Sequence, residues 1–342
     1  MMQIKLGSLT TFWRYIKTAE DADNGHLVIT GRSGSGKTYA LQMIERGIAE
    51  SHEAAMIVLN FHGTHDSLTG ENVKVLDVSD GLPFPLTAPF QHPDGVMDDK
   101  DDTIESILTI FEAEKRLPVR QRSALRRAME DAWNSPPEYF LAAVERQLKF
   151  ADEDAAGAVA DKFHLIFKKI RFCVPDGPLM RPGQIVRLDF GRFPTRLQSY
   201  AAEMTLAALL RYFRVWGQAA KYPLCVVCDE FQNLQIRPGS MLAEMLREGR
   251  KFNIMLFLAT QTLDTFDKAD RAIIQQAATH LYFRPAASEI RRIIAEINPR
   301  DPLAMQELLK NLQKGEAIAS GRFAIGNIIK DEPIKMTFRK GV

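Results

Sequence analysis

The sequence predicts an α/β fold with a mainly parallel central sheet and an inserted all-α segment. Three observations predict it. Gly31-Arg32-Ser33-Gly34-Ser35-Gly36-Lys37-Thr38 fits G-x-x-x-x-G-K-[ST], a phosphate-binding loop, and stands between a short β-branched stretch and a helical pattern. Leu224-Cys225-Val226-Val227-Cys228-Asp229-Glu230 reads as a buried strand ending in two acids. From about 95 to 172 the pattern turns helical, with almost no β-branched runs.

The elements follow in order. Gln3 to Leu6 reads as an edge strand and Phe12 to Thr18 as a short helix-like segment. His26 to Thr30 is a buried strand, and Tyr39 to Ala49 has apolar residues at helical spacing. Ala55 to Phe61 is a second apolar strand, with His62-Gly63-Thr64-His65-Asp66 as its polar exit loop, and Val73 to Val78 is a third. Leu82-Pro83-Phe84-Pro85-Leu86 is a rigid turn. The helical patterns then cover 102–116, 118–133, 136–150 and 153–171, with Pro136 and Pro137 suited to the first turn of the third. Strand Gln184 to Phe190, helix Leu197 to Gln218 and the Leu224 to Glu230 strand resume the alternation. Helix Met241 to Arg250, strand Asn253 to Ala259, helix Lys268 to Ala278 and strand His280 to Phe283 continue it. Helices 287–296 and 302–312 and strands 316–320, 323–329 and 333–338 close the chain. We expect one core from 1–94 and 173–342 and a helical insertion over 95–172.

Composition narrows the function classes. The chain has 342 residues, 46% of them hydrophobic, and a formal net charge of +1, so no global field advertises nucleic acid and any such contact is local. No apolar run approaches the ~20 residues a membrane helix needs, and Met1-Met2-Gln3-Ile4-Lys5 does not read as a signal peptide. Three cysteines suit a reducing compartment, so a cytoplasmic location is expected. Cys225 and Cys228 form C-x-x-C, but residues three apart in a strand face opposite sides, which speaks against a redox or zinc pair. The basic run Lys115, Arg116, Arg120, Arg122, Arg126 and Arg127 suits either phosphate-backbone contact or a solvated helix face, since acidic residues flank it.

The chemistry concentrates in two places. Gly31, Gly34 and Gly36 let the loop backbone turn its N–H groups inward around an anion, with Ser33 and Ser35 on the same loop. Lys37 would reach the β- and γ-phosphates, and the Thr38 hydroxyl would ligate Mg²⁺. Asp229 would hold the Mg²⁺ shell and Glu230 would polarise the attacking water. Gln261, at the tip of the strand after Asn253, could hydrogen-bond the γ-phosphate or that water. ATP and Mg²⁺ are therefore the expected ligands. His62, His65 and Asp66 could be read as a metal site, but no further ligand set is nearby and a polar loop at the carboxyl edge of a parallel sheet suffices.

The phosphate loop, Cys-Asp-Glu-Phe-Gln-Asn-Leu at 228–234, Leu-Arg-Glu-Gly-Arg-Lys-Phe-Asn at 246–253 and Leu-Ala-Thr-Gln-Thr at 258–262 together resemble the HerA/FtsK superfamily. Leu312 to Ser320 resembles that family's closing strand. The likeness covers roughly 26–80 and 184–338. It implies a RecA-like ATPase acting as a homo-oligomeric ring, usually a hexamer, with ATP between subunits. Arg250 matches the family's arginine finger, with Arg247 its nearest competitor, and Gln261 matches the sensor. Asn60 stands where the family's second strand often ends in aspartate, and neither HerA's N-terminal β-barrel nor the membrane segments of FtsK and the coupling proteins are evident. The implied activity is translocation of double-stranded DNA. Pore-loop candidates are Gln235-Ile236-Arg237-Pro238-Gly239 and Thr262 to Arg271. Energising conjugation or type IV secretion through membrane partners, or serving as a nucleotide-gated scaffold for a partner nuclease, are the alternatives.

Overall fold

The computed structural model describes residues 5–9, 15–18, 20–63, 65, 68–87, 95, 99–112, 116–174, 179–216, 221–325 and 327–338. Thr64, Asp66 and Lys115, singled out above, lie outside them, as do Gln3 and 12–14.

The chain runs β1 (Lys5–Leu9), β2 (Tyr15–Thr18), β3 (Leu27–Thr30), α1 (Lys37–Ser51), β4 (Ala55–Asn60) and β5 (Val73–Asp77). Among the described residues, four helices then follow without an intervening strand: α2 (Lys100–Phe111), α3 (Val119–Ala132), α4 (Phe140–Phe150) and α5 (Asp154–Lys169). Then come β6 (Ile185–Asp189), α6 (Thr195–Trp216), β7 (Leu224–Asp229), α7 (Met241–Glu248), β8 (Ile254–Thr260), α8 (Lys268–Ile274) and β9 (Thr279–Phe283). The chain ends with α9 (Ile290–Ile297), α10 (Pro302–Lys310), β10 (Glu316–Ser320), β11 (Phe323–Ile325), β12 (Ile328–Lys330) and β13 (Ile334–Thr337).

Among the described residues all thirteen strands join one sheet, ordered β12-β11-β2-β1-β13-β10-β9-β3-β8-β7-β4-β6-β5. The run from β9 to β5 is parallel, and the other six strands pair antiparallel. Three sequence expectations are corrected. β1, expected at an edge, lies inside the sheet between β2 and β13, because the chain's closing strand pairs with its free side. Tyr15–Thr18 is a strand paired with β1 and β11, because sheet pairing outweighs a short helical pattern. The stretch 323–329 is a hairpin of two short strands.

The parallel strands are covered on both faces, which explains their unbroken apolar runs: every residue of β4, β7 and β8 is buried. One face carries α1 with Leu41, Ile44 and Ile48. The other carries α6 and α7, and the helices α2 to α5 share that same apolar core. Phe111 of α2 is central to it. Its ring meets Phe163 of α5 edge-on at 4.9 Å, stacks on Phe167 at 5.5 Å and lies 6.3 Å from Tyr200 of α6. Phe111→Ala is expected to destabilise the protein by about 3–5 kcal/mol, read as a lower urea midpoint, because so crowded a site cannot collapse around the void. Cys225 packs on the α1 face and Cys228 on the other, so the two sulfurs diverge, and burial pushes both thiols up.

His26 locks the phosphate-loop strand to its neighbour. Its buried Nδ1 accepts the backbone N–H of Leu256 at 3.0 Å, and burial holds its pKa down to about 4, against 6.5 for a free imidazole. The unfolded chain therefore takes up this proton first, so stability falls as pH drops from about 6.5 to 4, by about 3 kcal/mol for this group. Urea midpoints at pH 7 and pH 4.5 should show that loss. His26→Gln, whose amide oxygen can accept the same bond without titrating, should remove part of it.

Candidate functional site

Strand order places the chemistry. The parallel register sets Thr30 of β3 beside Thr260 of β8, Asp229 of β7 beside Ala259, and Asn60 of β4 beside Asp189 of β6. All their carboxyl ends thus open on one edge, where β3 feeds the phosphate loop and β7 feeds the acid pair, separated only by β8.

The loop takes the shape its glycines allow. Gly31 sits at φ +149° and Gly36 at +109°, and a Cβ on them would lie 2.6 Å from Phe283 Cβ and 3.0 Å from the Gly315 nitrogen. Neither position admits another residue without strain. The loop is braced from outside: Arg32 N–H donates to the Arg284 carbonyl at 3.0 Å and Gly315 N–H to the Ser35 carbonyl at 2.8 Å. Lys37 Nζ curls back onto the Gly31 and Arg32 carbonyls at 2.6 and 3.1 Å. Burial lowers its pKa, while Asp229 and Glu230 oppose that shift.

The two distant motifs meet. Thr38 Oγ1 donates to Asp229 Oδ2 at 2.7 Å, and Asp229 is buried. Glu230 follows in the left-handed region at φ +64°, an unusual conformation for a side chain with a Cβ. Its carboxylate is held from two sides: Gln261 Nε2 donates to Oε1 at 3.4 Å, and His62 Nε2 lies 3.1 Å from Oε2. Thr260 Oγ1 reaches Gln232 Oε1 at 2.8 Å, tying the end of β8 to the turn after Glu230.

The residues present fit a magnesium-bound nucleoside triphosphate. The buried Ser35 hydroxyl has no hydrogen-bond partner among the described residues, and a Cβ on Gly34 would meet nothing within 4 Å, so the loop's interior and tip have room for an anion. Exposed Ser33 flanks that tip. No side chain caps the N-terminus of α1, which points its free N–H groups at the loop. Thr38 and Asp229 are hard oxygen donors of the kind Mg²⁺ selects.

Arg250 does not join this group. It lies in the 3-10 turn Gly249–Phe252 before β8, where its Nη1 donates to the Asp23 carbonyl at 2.6 Å. β8 rises about 20 Å between that edge and the acid pair, so the exposed Arg250 is out of reach of the phosphate loop and acid pair of its own chain. Arg247 is exposed on the last turn of α7.

Other sequence expectations resolve individually. The histidines after β4 part ways: His62 faces Glu230, while His65 is fully buried with its Nδ1 3.3 Å from Glu45 Oε2 of α1. Burial works to lower the His65 pKa, but the Glu45 carboxylate outweighs it and the net shift is upward. Among the described residues no group of three His, Cys, Asp or Glu is placed to hold a metal. Asn60 Nδ2 donates to Asp189 Oδ1 at 2.8 Å, and Arg187 clamps both oxygens of Asp189 at 2.9 Å. The polar residue ending β4 is thus used to bind its neighbouring strand. In the basic run Arg122 pairs with Glu105 and Glu112, Arg126 with Asp101, Glu105 and Glu130, and Arg127 with Glu153. Those arginines bind helix to helix.

Sequence reasoning passed over Glu203 and Glu289. Glu203, buried in α6, accepts the Gln235 N–H at 2.9 Å, and burial pushes its pKa up to about 7. It anchors the first pore-loop candidate, whose Arg237 also donates to the Glu112 carbonyl at 2.8 Å. The available signal was an acid within the apolar stretch Ala201 to Leu210.

The family described as "Helicase HerA, central domain" matches residues 4–209. No curated protein matches the chain. Among solved structures, VirB4 of Thermoanaerobacter pseudethanolicus superposes with a TM-score of 0.70 at 16% identity, covering 99% of this chain and 96% of that one. Plasmid coupling protein TrwB in complex with ADP and Mg²⁺ gives 0.68 at 12% identity, covering 99% and 89%. The bacterial conjugative coupling protein TrwBΔN70 with sulphate gives 0.66 at 13%, covering 99% and 90%. No helix among the described residues is long and apolar enough to cross a membrane. With a family match over more than half its length and a phosphate loop and acid pair joined at one sheet edge, the chain belongs to the HerA family of P-loop ATPases and has the RecA-like fold of VirB4 and TrwB.

Proposed function

We propose that this protein is an ATP-hydrolysing motor that assembles as a ring, most simply a hexamer, and translocates double-stranded DNA. The observation that carries the ATPase part is the 2.7 Å bond between Thr38 and Asp229, which joins the phosphate loop to the acid pair. In this reading the Gly31, Gly34 and Gly36 loop with Ser33 and Ser35 wraps the phosphates and Lys37 meets the β- and γ-oxygens. Thr38 and Asp229 would hold Mg²⁺, which neutralises charge on the phosphate oxygens. Glu230 orients water and takes its proton, and Gln261 places the γ-phosphate relative to Glu230. Arg250 serves the neighbouring subunit's site. Residues 95–172 form a helical insertion in a core made of 1–94 and 173–342.

DNA as cargo rests on the family and is tested directly. Double-stranded DNA is expected to stimulate ATP turnover and to bind in a gel shift, with an affinity that falls steeply with salt. No shift at low salt, with or without a non-hydrolysable ATP analogue, rejects this cargo. The fold shared with VirB4 and with the conjugative coupling protein favours a second reading, an ATPase that energises conjugative transfer or type IV secretion. Purification from membranes in complex with partner proteins would favour that reading over an autonomous DNA motor.

A further inference from the structure

We infer that Glu289 is a positioning residue for hydrolysis, a buried staple that fixes where Gln261 stands. The inference rests on the ATPase reading above. Glu289 precedes α9 and is only 3% exposed, so its carboxylate requires dedicated donors. They come from two loops. Oε1 accepts Thr262 Oγ1 at 2.8 Å and Leu263 N–H at 3.1 Å, from the two residues directly after Gln261. Oε2 accepts Ala286 N–H at 3.2 Å, from the loop leaving β9. Arg292, one turn further along α9, donates Nη2 to Oε1 at 2.9 Å and also pairs with Asp264.

The placement gives this cluster a consequence beyond packing. Gln261 is exposed, and its contact to Glu230 is long at 3.4 Å, so its side chain does not fix its own position. Its backbone does. Thr260 is tied on one side to Gln232 in the turn after Glu230, and Thr262 and Leu263 are tied on the other side to Glu289. The β9 exit loop that Glu289 grips at Ala286 also carries the Arg284 carbonyl, which holds the phosphate loop through Arg32 N–H. Glu289 therefore sets the distance between the amide that meets the γ-phosphate and the loop that wraps it. Misplacing a reacting group by as little as 1 Å is enough to slow catalysis severely.

Glu289→Gln tests this in the full chain. The variant keeps the side chain's size but removes the charge facing Arg292 and sets an amide NH₂ against N–H donors. Its kcat for ATP is expected to fall about tenfold or more, with KM and fluorescent-nucleotide affinity unchanged. The double variant Gln261→Ala/Glu289→Gln is expected to turn over no more slowly than Gln261→Ala alone, because both changes remove one function. Backbone hydrogen exchange at Leu263 and Ala286 is expected to quicken in Glu289→Gln without nucleotide. Wild-type kcat in E289Q, a double variant showing the product of the two deficits, or a loss confined to KM each overturns the positioning role. A wild-type chain that hydrolyses no ATP instead overturns the ATPase reading. The exchange measurement separates the two failures, since it needs no turnover and unchanged protection at Leu263 rejects the staple by itself.

Discussion

Replacing Glu230 with Gln is expected to leave ATP binding intact and to lower turnover by at least about a hundredfold, the usual contribution of a positioned general base. The substitution removes one charge and keeps the shape, so the phosphate loop, the Thr38–Asp229 bond and the Lys37 contacts stay as they are. What is lost is the ability to take a proton from water. The surroundings fix where Glu230 stands. Its backbone is at φ +64°, His62 Nε2 lies 3.1 Å from one carboxylate oxygen, and Gln261 makes a longer contact of 3.4 Å to the other. Single-turnover hydrolysis alongside nucleotide titration checks the result. Unchanged turnover would remove Glu230 as the base, whereas lost binding would mean that the change had reached the loop.

The second large effect is a rescue. Lys37→Ala subunits lack the phosphate-loop cation, and Arg250→Ala subunits lack the cation proposed to complete a neighbour's site. Each preparation alone is expected to be nearly inactive, since a trans arginine is worth about 10³–10⁵ in rate. If subunits assemble as proposed, mixtures will contain some interfaces at which an intact loop faces an intact Arg250, and those are expected to hydrolyse ATP. The geometry favours this outcome because Arg250 stands at the amino edge of β8 and its own acid pair at the carboxyl edge, too far apart for one side chain to span. Mixtures that remain inactive while both variants assemble would reject Arg250, and the same test then passes to Arg247.

Much of this site was legible in the sequence because its parts are local. The phosphate loop is eight consecutive residues whose glycines dictate the backbone, and β7 announces itself as an apolar run ending in Asp229 and Glu230. Helix and strand periods identified most elements, since burial against a core imposes them directly. The errors fell where pairing is non-local. Tyr15–Thr18 became a strand because β1 and β11 offered it hydrogen bonds from sequence-distant segments. For Arg122, Arg126 and Arg127 the sequence left phosphate contact and a solvated face both open, and only the fold shows Glu105, Glu112 and Glu153 pairing with them from sequence-distant positions.

The sequence by itself determined that a triphosphate cradle and an acid pair are present and that each ends a buried strand, because those properties depend on residues adjacent in the chain. Only the tertiary structure decided that β8 lies between the two strands, that His62 and Gln261 flank Glu230, that Glu289 anchors the loop after Gln261, and that Arg250 faces away. Those facts depend on strand order and on side chains converging from remote segments, which no periodicity within one segment encodes.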